Sequence, residues 1–472
     1  MALILVDNAE VLVTMDDAGR EIKNGAIVIR DNVIHMLGSG EELRAVLDAD
    51  GLTVDREIDA SGCVVIPGLV NCHHHLYQTL TRGIGTAEGK SLFDWLQTLY
   101  PIWGEMDADA VYVSAKLGLA ELLLSGATTV ADHLYLFPND ARLDDEIRAA
   151  RELGVRFHPT RGSMSLGQSQ GGLPPDELCE DEAVILEDCV RVIEAFHDPG
   201  PFSMLRIGLA PCSPFSVTAE LMRKTAELAR AYPQVKLHTH LAETLDENRF
   251  CEKQFGMRPI PYVESLGWIG DDVWFAHMVH PDTQEIDRLA ASNSGVCHCP
   301  SSNMILASGI APVRAMRDAG VRIGIGVDGS SSNDGNHLLG EARQSMLLQR
   351  VGWPGFESSA DRFSAREALE LATRGGAAAL GRDDIGSLET GKAADLVAFR
   401  IDDLQHAGAG ADPVAALLTC APTGAWLSII NGATIIENGE IIGLDLDTLA
   451  QQHNQQARRL LKNAAAKGNY HD

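Results

Sequence analysis

The chain has 472 residues, with 66 Asp+Glu against 38 Lys+Arg and a net charge of −28. A surface this acidic repels phosphate backbones and excludes nucleic acid polymers as partners. The 45% hydrophobic and 22% charged shares are those of a globular chain with a large core, which excludes disordered and fibrous architectures.

No apolar run approaches the roughly 18 residues needed to span a bilayer, so no membrane association is expected. The N-terminal MALILVDNAE has no basic stretch, so it is not expected to be a secretory leader. Nine cysteines, an odd and sparse set, fit a reducing cytoplasm better than a disulfide scaffold.

The chain opens with short alternating runs, Ala2–Thr14, Gly25–Arg30 and Asn32–Leu37, separated by Asp, Gly and Asn turn residues. Buried-strand runs then alternate with helical patterns. The strands expected are Cys63–Cys72, Ala127–His133, Val155–Thr160, Arg206–Pro211, Val235–Leu241, Val273–Met278, Gly295–Pro300 and Arg322–Asp328. Asp107 as N-cap, an apolar stripe to Ser125 and Gly126 beyond it predict the clearest helix. Ala219–Ala231, Asp282–Ala291 and His337–Val351 are further helices. Strand patterns return at Asp395–Phe399, Trp426–Ile430 and Thr434–Glu437, with Asn438-Gly439 as a hairpin turn before Ile441-Ile442. The fold expected is α/β: a (β/α)8 TIM barrel over residues 61–387, clasped by a small β-sandwich domain from residues 1–60 and 388–445. Residues 446–472 are expected to form a polar surface helix and tail.

In such barrels the chemistry sits at the C-terminal ends of the strands, and the reactive residue types gather there. The first strand ends in Asn71-Cys72-His73-His74-His75. Residues two apart share a strand face, so His73 and His75 are expected to point into the barrel and His74 away. The fifth ends in His238-Thr239-His240-Leu241-Ala242-Glu243, the sixth in His277-Met278-Val279-His280 and the eighth in Asp328-Gly329. Imidazoles and a carboxylate at converging strand ends make a metal site. Gly324-Ile-Gly326-Val-Asp-Gly329 formally fits a dinucleotide loop, but it lies on the last barrel strand and its Asp328 is wanted by the metal. The HExxH metalloprotease motif is missing, and Pro211-Cys212-Ser-Pro-Phe215 lacks the second cysteine of the cytidine-deaminase signature.

Taken in order, Pro67-Gly68-Leu-Val-Asn71-Cys-His73-His-His75, His240-Leu-Ala-Glu243, Ala276-His277, His298-Cys-Pro-Ser-Ser-Asn303 and Gly326-Val-Asp328-Gly329 resemble the amidohydrolase superfamily, in the branch of purine, pterin and triazine aminohydrolases. The resemblance spans nearly the whole chain. It implies metal ligands His73, His75, His240 and Asp328, with His240 rather than His238 because it stands three before Glu243. It also implies catalytic roles for Glu243, His277 and Asp328. The fourth strand has no lysine at its end, where two-metal members carry a carboxylated one, so one divalent ion is expected: zinc, with Fe2+ as the alternative. The implied reaction is attack of metal-held hydroxide on an amino-bearing ring carbon, with loss of ammonia.

The substrate side is read from Gln78, His133, Arg161 and Cys212. Gln78 is placed to read a lactam edge, and a strand-end Arg161 to hold a carbonyl oxygen or else to pair with a barrel acid. His133 ends the second strand. Cys212 stands where nucleoside-type members carry histidine. The segments HHHLYQTLTRG, DHLYLF and TRGSMSLG resemble members of the branch that act on oxidised purines, which implies 8-oxoguanine and water giving urate and ammonia. Guanine, isoxanthopterin and hydroxytriazines are the alternative substrates. A non-catalytic interaction protein is a further alternative, opposed by the intact ligand set. The partner expected is therefore a small heterocycle, and the resemblance implies a homo-oligomer, a dimer.

Overall fold

The computed structural model describes residues 2–351, 357–468 and 470. Eight parallel strands close into a barrel: Leu69–Asn71, Ala127–Leu134, Arg156–Ser163, Gly208–Pro211, Lys236–Leu241, Val273–His277, Gly295–His298 and Arg322–Ile325. The last strand pairs with the first, Ile325 opposite Asn71, and the Asn71 side chain accepts from Val327 N at 2.9 Å to extend that closure. The α/β barrel with an added β domain is thus the fold the sequence predicts.

The second sheet has nine strands drawn from residues 3–67 and 396–441. Its centre is Cys63–Pro67, which lies parallel to Leu3–Val13 and antiparallel to Leu396–Arg400. The single strand expected over Cys63–Cys72 is therefore two, and residues 63–67 belong to this outer sheet. The break falls at Pro67-Gly68. Proline donates no hydrogen bond, and a Cβ on Gly68 would lie 2.0 Å from Thr128 Oγ1, so only glycine passes there. Two elements of this domain escaped the sequence reading: a helix at Gly40–Ala49, closed by a Ser39–Glu42 capping box, and a strand at Arg56–Asp59.

The predicted helix after Asp107 runs Ala108–Leu124, with the Asp107 side chain accepting from Ala110 N and Gly126 at φ +99° beyond it. The C-terminal helix, Leu446–Ala466, is not a free surface element. Its apolar stripe buries Leu449, Leu460 and Ala464 against the barrel, and His453 Nε2 lies 3.0 Å from Thr79 Oγ1. Among the described residues no helix is long and apolar enough to cross a membrane.

The two domains are joined by a buried ion pair. Arg156, at the start of the third barrel strand, donates from Nε and Nη2 to the two carboxylate oxygens of Asp395, both at 2.8 Å.

Candidate metal centre and active site

His73 and His75 follow the first barrel strand, His240 lies near the end of the fifth, and Asp328 follows the eighth. All four are buried. Each imidazole has its outer nitrogen engaged. His75 Nδ1 is 2.7 Å from the His133 carbonyl and His240 Nδ1 is 2.6 Å from the Cys212 carbonyl. A carbonyl only accepts, so both Nδ1 atoms carry the proton and both Nε2 atoms present a lone pair. Those two Nε2 atoms face each other at 3.0 Å. Asp328 Oδ1 stands 3.3 Å from His73 Nε2 and 3.5 Å from His75 Nε2. His73 Nε2 is buried with no hydrogen-bond partner. Burial pushes His73 and His240 well below the ordinary histidine range, so no proton relieves this crowding of acceptors. Three imidazole lone pairs and a carboxylate converging without a donor fit a divalent cation. As the strand periodicity requires, His74 is turned away, with Nε2 2.9 Å from Asn336 Oδ1.

Glu243 and His277 adjoin this cluster. His277 Nε2 lies 3.6 Å from Glu243 Oε2 and 3.8 Å from Asp328 Oδ2, and its Nδ1 is 2.9 Å from Asn303 Oδ1. Burial lowers the His277 pKa, but the carboxylates of Glu243 and Asp328 outweigh it and raise the imidazole above its ordinary value. Burial likewise raises Glu243, against the pull of His277.

The turns that present these groups are strained. Ala242, His277, Met278 and Asp328 all have left-handed φ, at +52°, +74°, +48° and +62°. Non-glycine residues there cost about 1–3 kcal/mol each and need external support. At Ala242 the support is Glu247, whose carboxylate oxygens accept from Ala242 N at 3.0 Å and Glu243 N at 2.8 Å. Val279 N and His280 N both donate to the Ala242 carbonyl at 2.9 Å. Sequence reasoning passed over Glu247; its spacing of four from Glu243, at the head of a helix, was the available signal.

A cavity opens on the cluster. Its apolar wall includes Leu92, Trp95, Leu96, Tyr135, Phe215 and Leu306, and its polar lining includes Gln78, Cys212, Ser332, Glu243 and Asp328. No lysine or arginine lines it. Gln78 sits on a 3-10 turn, Leu76–Thr81, with its amide against Gly329, where a Cβ would come 2.0 Å from Oε1.

Two of the expected substrate contacts lie elsewhere. Arg161 faces a separate groove, bonded to Glu180 at 2.7 Å and Asp188 at 2.8 Å, with its guanidinium 3.9 Å from the Phe137 ring centroid. A buried guanidinium needs carboxylates, and the segment after its strand supplies two. His133 is buried in the same cluster, its ligand atom within 4.8 Å of those of His73, His75 and His240, and it stacks on His240 at 5.0 Å with Nε2 donating to the Ala210 carbonyl at 2.9 Å. Its part is to hold His75 through its own carbonyl.

A closed (β/α)8 barrel with a cation-ready cluster of histidines and aspartate at its strand ends defines a metal-dependent hydrolase. The amidohydrolase family model matches residues 64–430, and the chain belongs to that family. It is 45% identical over 445 residues to the 8-oxoguanine deaminase of Pseudomonas aeruginosa, covering 94% of this chain and 96% of that one. It is 35% identical over 459 residues to the hydroxydechloroatrazine ethylaminohydrolase of Pseudomonas sp. strain ADP, covering 95% and 94%. The zinc-complexed atrazine chlorohydrolase of Arthrobacter aurescens superposes with a TM-score of 0.90 at 35% identity, over 96% of this chain and all of that one.

Proposed function

We propose that the protein is an 8-oxoguanine deaminase, converting 8-oxoguanine and water to urate and ammonia. The observation that carries the reading is the near-full-length 45% identity to a deaminase of that substrate. A largely apolar cavity, lined among the described residues by no lysine or arginine, supports it, since 8-oxoguanine is near-neutral.

His73, His75, His240 and Asp328 would hold one divalent ion, with zinc preferred and Fe2+ the alternative, and that ion would supply an activated water at neutral pH. The chain's residues do the rest. Asp328 accepts the proton of the attacking water and delivers it to the departing nitrogen. Glu243, whose carboxyl burial raises, gives a proton to the ring nitrogen beside the amino-bearing carbon, making that carbon electrophilic, and regains one from the attacking oxygen as the product carbonyl forms. His277, its pKa raised by the Glu243 and Asp328 carboxyls beside it, is placed where the attacked centre gains negative charge. Gln78 reads the lactam edge, and Cys212 leaves room where a larger group would crowd the ring. The nine cysteines, none in a disulfide, support a cytoplasmic location. The oligomer proposed is a dimer.

The test is ammonia release from 8-oxoguanine, guanine, isoxanthopterin and hydroxytriazines. Turnover of 8-oxoguanine at least tenfold above the others is expected. If it were inert while another ring reacted, the substrate assignment would fall and the aminohydrolase assignment would stand.

A further inference from the structure

Of the three histidines in the candidate metal site, two are oriented by backbone carbonyls. The third is not. His73 Nδ1 lies 2.8 Å from Nε2 of His238, the first histidine of the His238-Thr239-His240 strand end. The His238 ring is fixed in turn. It stacks on Trp274 with centroids 4.3 Å apart and planes 17° apart, and its Nδ1 is 2.9 Å from the Trp274 carbonyl. One proton arrangement satisfies both hydrogen bonds. The carbonyl only accepts, so His238 carries its proton on Nδ1 and is left with a lone pair on Nε2. That lone pair accepts from His73 Nδ1–H. The His73 Nε2 lone pair then faces Asp328 and the other two ligands.

We propose that His238 is a positioning residue for the metal: it fixes the tautomer and ring direction of His73 and thereby sets the affinity of the site. The proposal rests on the metal-site reading above. His238 is fully enclosed and lies outside the cavity lining, so its effect passes through His73 and not through substrate. It also differs from the partners of His75 and His240 in being a side chain, the one orienting contact of the three that substitution removes outright.

The experiment compares the zinc affinity of the full chain, by competition with a chromophoric chelator, in wild type, His238→Phe and His238→Gln. The Phe variant keeps a flat ring on Trp274 but offers no acceptor. Its zinc affinity is expected to fall 10- to 100-fold, the range for loss of an outer partner of a metal-bound histidine. The Gln variant can present Oε1 near the former Nε2 position and is expected to stay within about threefold of wild type. Metal-free melting temperatures separate packing from orientation: the proposal expects the affinities of the two variants to differ after matching on this measure. Wild-type affinity in the Phe variant, or equal weakening in both, overturns the proposal. If the Phe variant does not fold, nitrogen-detected histidine spectra of metal-free wild type decide it. The Nδ1–H form of His73 is expected, and the Nε2–H form overturns it. Failure of wild type to bind zinc at all would instead remove the metal reading itself.

Discussion

Replacing Glu247 by alanine is expected to damage both stability and turnover, because one carboxylate grips the two amides that flank the bend before Glu243. Its loss leaves Ala242 N–H and Glu243 N–H buried without acceptors. Each orphaned buried donor costs about 1–3 kcal/mol, so the expected destabilisation is roughly 2–6 kcal/mol. The left-handed bend at Ala242 then relaxes, and Glu243 shifts away from His277. A fall in kcat of tenfold or more is expected, with KM changing less, since the lost contact positions a proton donor and not the ring. A pH signature accompanies it. Burial pushes the Glu247 carboxyl up to about 8, its two amide donors working against that shift. The folded state therefore binds more protons than the unfolded one between about pH 4 and 8. Stability contributed by this group is present at acid pH and is lost as pH rises through that window, by at most about 1.4 kcal/mol per unit. Urea midpoints measured from pH 5 to 8 should fall less steeply in the alanine variant. Unchanged kcat together with a destabilisation below 1 kcal/mol would refute the reasoning.

Further outcomes follow from other contacts. Arg161→Met should lower stability by somewhat less than the about 3–5 kcal/mol of a fully buried pair, because Glu180 and Asp188 keep 21% and 25% exposure. Its KM should match wild type; a tenfold rise would return Arg161 to the substrate site. Asp328→Asn should abolish ammonia release while the circular dichroism spectrum stays native, and retained turnover would remove the proton-shuttle role. Exhaustive chelation should abolish activity and lower the melting temperature, both restored by zinc; full activity after verified metal removal contradicts the site. Asp395→Ala strands the Arg156 guanidinium in a site where both partners are at most 2% exposed, and should cost about 3–5 kcal/mol in urea unfolding.

The barrel was legible because its strands are short apolar runs at regular spacing, and four of them end in reactive residues. That rule singles out His73, His75, Glu243, His277 and Asp328 as candidates. It failed where direction mattered. Arg161 ends a strand as the rule requires, yet its charge is drawn to Glu180 and Asp188, acids whose proximity no local pattern reveals. His133 ends its strand among the candidate ligands and does not line the cavity. Cys63–Cys72 reads as one strand because period-two patterning does not record a change of sheet. His238 and Asn303 act on other residues through single atoms, and such contacts exist only once separate segments converge.

The strand Cys63–Pro67 also constrains the order of assembly. It lies between Leu3–Val13, made before it, and Leu396–Arg400, made more than three hundred residues after it. The segment that continues from it carries the HxH pair. Barrel closure awaits Arg322–Ile325, and the sheet anchoring the first barrel strand awaits Leu396–Arg400. On the ribosome the histidine pair therefore emerges long before its opposing aspartate and its anchor. Contacts of such long sequence separation form late. A nascent chain has the first two candidate ligands but no enclosed site, so metal capture is a closing event of folding, and a chain stopped short of residue 400 would emerge without the anchor of its first ligand strand.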